Sequence, residues 1–185
     1  MFDCVSKPTL GFYHEWNGCG WHYSEFDKKS GQEEFRSELN QLLSGYGSSY
    51  ELSVDGEILE LPEAGMESLL EIELPECDPQ NVKARVSHAT LKFRRYRSSV
   101  EERREAVREL ADVLEFLRPK LKTILTKKDE SDLFEIANKF AIRHHNESQK
   151  TEYDQSIWLT WMFYFYLATI HAALGLLEKT EKGNS

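Results

Sequence analysis

The spacing of apolar positions divides the chain into two regimes. Up to about residue 77 short apolar runs, some alternating, flank one stretch of helical spacing, and from residue 78 apolar positions recur every three to four residues over long stretches. Residues 9–26, TLGFYHEWNGCGWHYSEF, place two aromatic-rich runs on either side of Asn17-Gly18, which predicts two strands joined by a turn of positive φ. Gln32 to Leu43 keeps Phe35, Leu39, Leu42 and Leu43 on one face and is followed by Gly45, which predicts a helix. Tyr50 to Leu61, YELSVDGEILEL, sets Asp55-Gly56 between alternating runs and predicts a second hairpin. An acidic loop and a short helix follow in PEAGMESLLEIELPE.

The second regime opens at Asp78-Pro79, an N-cap followed by proline at the first helical position. That helix holds Val82, Val86, Ala89 and Phe93 on one side. Ser98 and Ser99, each with a glutamate three residues on, form overlapping capping boxes for a long helix through Val107, Leu110, Leu114, Leu117 and Leu121, with Pro119 expected to bend it. Asp129 is the expected cap of a helix through Ile136, Ala137 and Phe140, and a last helix begins after Asp154. Its core face is expected to be Trp158, Trp161, Phe165, Ala168 and Ala172, with Thr160, Tyr164, His171 and Glu178 along another. The expected fold is therefore α+β: a small α/β lobe with hairpins over residues 1–77, then a four-helix bundle over 78–185.

Residues 157–177 contain no Asp, Glu, Lys or Arg, which is the length of a membrane span. The polar stripe through Tyr164 and His171 would lie unpaired in lipid, and Trp158, Trp161 and Tyr166 do not form two interfacial belts. A buried bundle helix and no membrane partner are expected.

At 185 residues and 40% hydrophobic, the chain can bury a sizeable core. Its net charge of -9 argues against indiscriminate nucleic-acid binding, but the charge is uneven. Residues 1–82 hold four Lys/Arg against seventeen Asp/Glu, whereas residues 83–97 hold six basic residues and no acid. Three cysteines, Cys4, Cys19 and Cys77, are too few and odd in number for a secreted disulfide framework, and Asp3, Lys7 and Pro8 interrupt any signal-like run. Both point to a cytoplasmic protein. Cys19 and His22, with Cys4 and His14, are too scattered for a zinc site, so neither a metal nor a cofactor is expected.

Two stretches carry candidate chemistry. Arg143, His144, His145 and Asn146 crowd a permanent cation, two groups that exchange protons near neutrality and a carboxamide into consecutive positions, with Gln149 and Lys150 close behind. That set suits a phosphodiester; it also suits a helix C-terminus, where cations are favoured. Metal-free RNA cleavage needs the 2′-hydroxyl deprotonated, the phosphate charge stabilised and the leaving oxygen protonated, roles open to His, Arg and His. Neighbouring histidines on a helix point about 100° apart, so one chain cannot aim both at one phosphate, whereas a symmetric dimer can supply one from each subunit. The alternative is a buried hydrogen-bond network around Arg143 in an interaction module, with Tyr153 and Asp154 as partners. The second stretch aligns Arg85, His88, Lys92 and Arg95 at spacings of three, four and three, a candidate phosphate-binding face or a solvated basic one. Nucleotide binding has little support, since the chain lacks a Gly-rich phosphate loop.

GWHYSEFD, YELSVDGEILEL and above all LFEIANKFAIRHHNESQKTEYDQSIWLTWMFYFYLATIH resemble the HEPN (higher eukaryotes and prokaryotes nucleotide-binding) superfamily, more narrowly the N-terminal regions of AbiJ-like abortive-infection proteins. The resemblance implies a HEPN-like bundle in an antiviral defence protein, with a metal-independent ribonuclease or RNA-binding activity, a homodimer, and a defence-system partner protein. The family's motif is Arg, a polar residue, then His after four to six intervening residues. Arg143 and His144 match its start, but positions 148, 149 and 150 are Ser, Gln and Lys. By that resemblance, His144 or His145 takes over the histidine role, or the chain binds RNA or a partner without cutting.

Overall fold

In the computed structural model, which describes residues 2–45, 50–139 and 154–183, the change of period becomes a division into two units, Met1–Leu61 and Pro62–Ser185. The class is α+β. Residues 62–77, which the periodicity groups with the first lobe, belong to the second unit because Leu69, Leu70, Leu74 and Cys77 pack against its helical core.

In the first unit, β1 (Lys7–His14) pairs antiparallel with β2 (Gly20–Asp27) across a loop in which Gly18 and Gly20 take φ of 65° and 74°. The Asn-Gly signal thus marks the reversal, although the loop is longer than a two-residue turn. Asp27 then caps α1 (Lys28–Gly45): its carboxylate accepts from the Ser30 amide at 3.1 Å and the Ser30 hydroxyl at 2.6 Å, and the helix starts ahead of Gln32 for that reason. Gly31 lets α1 meet the strand, since a Cβ there would lie 2.4 Å from the Lys7 amide nitrogen. The hairpin of β3 (Tyr50–Leu52) and β4 (Ile58–Glu60) turns at Gly56, φ 81°, as Asp55-Gly56 predicts. The Asn40 carboxamide docks it on α1, accepting from the Leu52 amide at 2.6 Å and donating to the Leu52 carbonyl at 3.1 Å. Leu52 and Leu59 are the buried large apolar side chains of this unit among the described residues, a thin core for so many rings.

The second unit is helical: α2 (Glu67–Glu71), a wide π-type turn Pro79–Ala84 running into α3 (Arg85–Arg94), α4 (Val100–Leu121), α5 (Lys127–Lys139) and α6 (Gln155–Gly183). Asp78 accepts from the amides of Gln80 and Asn81, and Ser99 and Glu102 close a reciprocal capping box. Pro119 stands in the last turn of α4, so it marks the end of the helix rather than breaking its middle. The cap of α5 differs from expectation: the Thr126 hydroxyl receives the Asp129 amide at 3.2 Å and donates to the Asp129 carboxylate at 2.7 Å, so the threonine caps and the aspartate answers from the third position.

Val86, Ala89 and Phe93 of α3, Val107, Leu110, Leu114 and Leu117 of α4, and a face of α6 make one core, to which α5 adds Phe134. The Phe93 and Phe163 rings stack at 4.1 Å. The buried face of α6 is Leu159, Met162, Phe163, Tyr166, Leu167, Ile170, Ala173 and Leu174; the expected Trp158 and Trp161 are instead 38% and 42% exposed, and Ala168 and Ala172 are exposed. α6 is apolar almost all round, so period alone cannot select its inner face. By length and composition it could cross a membrane, and half of that apolar window is buried inside the protein.

Candidate functional site

Arg143, His144, His145 and Asn146 lie outside the described residues, in the sequence between Lys139 and Asp154. Asp154, at the near end of α6, caps that helix by accepting from the Ile157 amide at 3.1 Å.

The basic face of α3 is fully described, and it is met by carboxylates. Arg85 Nη2 lies 3.6 Å from Asp112 Oδ2 and Arg85 Nε 3.9 Å from Glu109 Oε1; His88 Nδ1 lies 2.8 Å from Glu109 Oε2; Lys92 Nζ lies 3.4 Å from Glu105 Oε2. Arg95 completes the series electrostatically. The Glu102 carboxyl is held below the usual carboxylate range first by the hydrogen bonds of Ser99, and to a lesser degree by the charges of Arg95 and Lys92. Partners fall in number on α4 as they rise on α3, so the two helices are antiparallel. The spacing explains the match: 85, 88, 92, 95 on α3 and 102, 105, 109, 112 on α4 both step by three, four and three.

This acidic strip is the part of the site that a reading of α3 alone misses. Its signal was present in the sequence as a second run with the same spacing. The face remains half open to water: side-chain exposure is 35% at Arg85, 60% at His88 and 23% at Lys92. Beyond it the chain reverses through Arg97, whose φ of 61° is unusual for a side-chain-bearing residue, and its guanidinium lies 5.0 Å from the Tyr96 ring.

A second feature lies at the N-terminal end of α6. Glu63, Met66 and Leu69 face Ile157, Thr160, Trp161, Tyr164 and Phe165 across a cavity of about 580 Å³. The Tyr164 hydroxyl accepts from the Glu63 amide at 3.2 Å, and burial pushes its pKa up, opposed first by that hydrogen bond and then by the charge of Arg94. His171, one of the predicted polar stripe, lines a separate space with Glu71, Glu73, Lys83 and Thr90, and burial pushes its pKa down. Of the stripe, Tyr164 is buried, Thr160 and His171 are half-buried, and Glu178 pairs with Lys182 at the surface.

Among the described residues no group of three or more His, Cys, Asp or Glu is arranged to hold a metal ion. His14 and His22 do meet, rings 5.5 Å apart, but their third neighbour is Phe12. Cys4, Cys19 and Cys77 are unpaired thiols, and burial raises the Cys77 pKa. Compared with family models, curated proteins and solved structures, the chain matches none.

Proposed function

We propose that this chain is a HEPN-like phage-defence protein acting on RNA in the cytoplasm, with metal-independent cleavage centred on Arg143 and on His144 or His145, and Asn146 orienting the phosphate. One observation carries the reading: the sequence sets a cation, two imidazoles and a carboxamide in consecutive positions, the groups that metal-free phosphodiester cleavage requires. Working as a homodimer, the chain would bring one such set from each subunit to one phosphate. Arg85, His88, Lys92 and Arg95 would hold flanking phosphates only in exchange for their carboxylate partners.

That last requirement favours a second reading, a non-catalytic dimerisation or interaction module that regulates a defence effector. A basic face neutralised within its own chain has little net field with which to attract a polyanion.

Incubating the protein with total RNA and a tRNA pool in EDTA tests the first reading. The expected result is cleavage that persists in chelator and disappears in Arg143→Ala, and in one of His144→Ala or His145→Ala. Intact RNA with correctly folded protein in every lane would move the assignment to the interaction module.

A further inference from the structure

The β1–β2 hairpin presents a row of rings that no helix of its own unit buries among the described residues. Tyr13 meets Trp21 at 5.7 Å, Trp21 lies nearly parallel to Tyr23 at 6.0 Å with 13° between planes, and Tyr23 meets Phe26 at 6.4 Å. These four rings are 56%, 60%, 45% and 58% exposed, and no residue of either strand is buried. The row is built rather than incidental. Pairing slips on both sides of Leu10, which lets Phe26 share a face with Tyr23, and Gly11 leaves the backbone bare beneath Tyr23, where a Cβ would sit 2.6 Å from the ring. A contiguous exposed aromatic surface of this kind marks an interaction site.

Charge decides what occupies it. Residues 1–61 hold eleven Asp/Glu against four Lys/Arg, with Glu15 and Glu25 exposed on the hairpin itself. A nucleic acid, which could also stack on such rings, would be repelled. A guanidinium is attracted by the field and stacks on the faces of Trp and Tyr. Along β2 the rings step from Trp21 to Tyr23 by 6.0 Å and from Tyr23 to Phe26 by 6.4 Å, close to the two-residue repeat of an extended chain, about 6.6 Å, while Tyr13 stands opposite Trp21 across the hairpin and flanks the row. We infer that the hairpin is a docking surface for an extended, arginine-rich segment of a partner protein, in which alternate residues place guanidinium groups on Trp21, Tyr23 and Phe26. This inference stands apart from the RNA reading of the helical unit.

Fluorescence anisotropy of a labelled (Arg-Thr)₄ peptide, titrated with the full chain, tests it. The alternating peptide is expected to bind at least tenfold more tightly than an isomer with four consecutive arginines followed by four threonines. Trp21→Ala and Tyr23→Ala should each lower the affinity by about tenfold, while Phe12→Ala, on the opposite face of the same hairpin, should leave it unchanged and report on its folding. Equal binding of the two isomers, or binding indifferent to Trp21→Ala, would reduce the effect to diffuse charge attraction and overturn the assignment. So would a labelled single-stranded RNA whose binding depends on the same two rings.

Discussion

His88 Nδ1 sits 2.8 Å from Glu109 Oε2, and the other oxygen of that carboxylate faces Arg85 at 3.9 Å. Glu109 thus serves two residues of α3, and of the three carboxylates ion-paired to that helix it is the least exposed, 18% against 38% for Asp112 and 58% for Glu105. Pairing on a wet surface contributes little, and contributes more as water is excluded.

Glu109→Gln is accordingly expected to destabilise the helical unit by about 1 kcal/mol, and Glu105→Gln by about 0.3 kcal/mol. Urea unfolding of both variants, with Arg85→Ala/Glu109→Gln closing a double-mutant cycle, gives the coupling directly. Equal effects at the two sites would show that exposure does not rank these pairs.

If α3 holds RNA, its carboxylates compete with phosphate. Glu105→Gln/Glu109→Gln should then tighten RNA binding several-fold at low salt, and the slope of log affinity against log salt should steepen by about one to two phosphates. An unchanged slope would remove α3 from the RNA surface and leave any RNA contact to the region of Arg143.

Burial holds the His171 pKa below its ordinary value of about 6.5. The unfolded chain therefore binds the proton more readily. The stability linked to this residue is full above about pH 6.5 and is lost as pH falls through that value toward the folded pKa. Lys83, Glu71 and Glu73 line the same space and set the field around it. His171→Gln should flatten the stability curve between pH 7 and 5 while leaving in place the loss of stability at more acid pH, where Asp78 and Glu102, both held below the ordinary carboxylate range by amide hydrogen bonds, give up their charges.

Gly175 lies inside α6 with nothing within 4 Å of where a Cβ would stand. Gly175→Ala should stabilise the helical unit by about 0.5–1 kcal/mol, read as a rise in melting temperature. Gly31→Ala, whose Cβ would collide with the Ser6 and Lys7 backbone, should lower the melting temperature of the first unit.

The features legible in the sequence were local ones. Asp55-Gly56, Asp78-Pro79 and the Ser99–Glu102 box each specify a turn or a cap within four residues, and each formed as read. Thr126 was passed over for Asp129 because both residue types cap, and only the chain's path decides which comes first. The inner face of α6 was not legible because a helix apolar on every side has no face until its neighbours choose one. Residues 62–77 are acidic like the first unit, but it is Leu69, Leu70 and Leu74 that assign them to the second. Of the candidate site, the spacing of Arg85, His88 and Lys92 along one helix is legible in α3 alone, while their carboxylate partners emerge only when the rows of α3 and α4 are compared.

The matched spacing on α3 and α4 has a limit as a source of specificity. One helix offers a single sign and the other its opposite, so displacing them by one turn would still join three of the four rungs. The charges therefore select which helix lies beside which, but not where along its length. Alignment falls to shapes that tolerate no such shift: Phe93, with the Arg103 guanidinium of α4 5.3 Å from its ring and Phe163 of α6 stacked on it, and Ala89 with no accessible surface. In this unit electrostatics governs recognition between neighbours, and steric fit serves as the ruler.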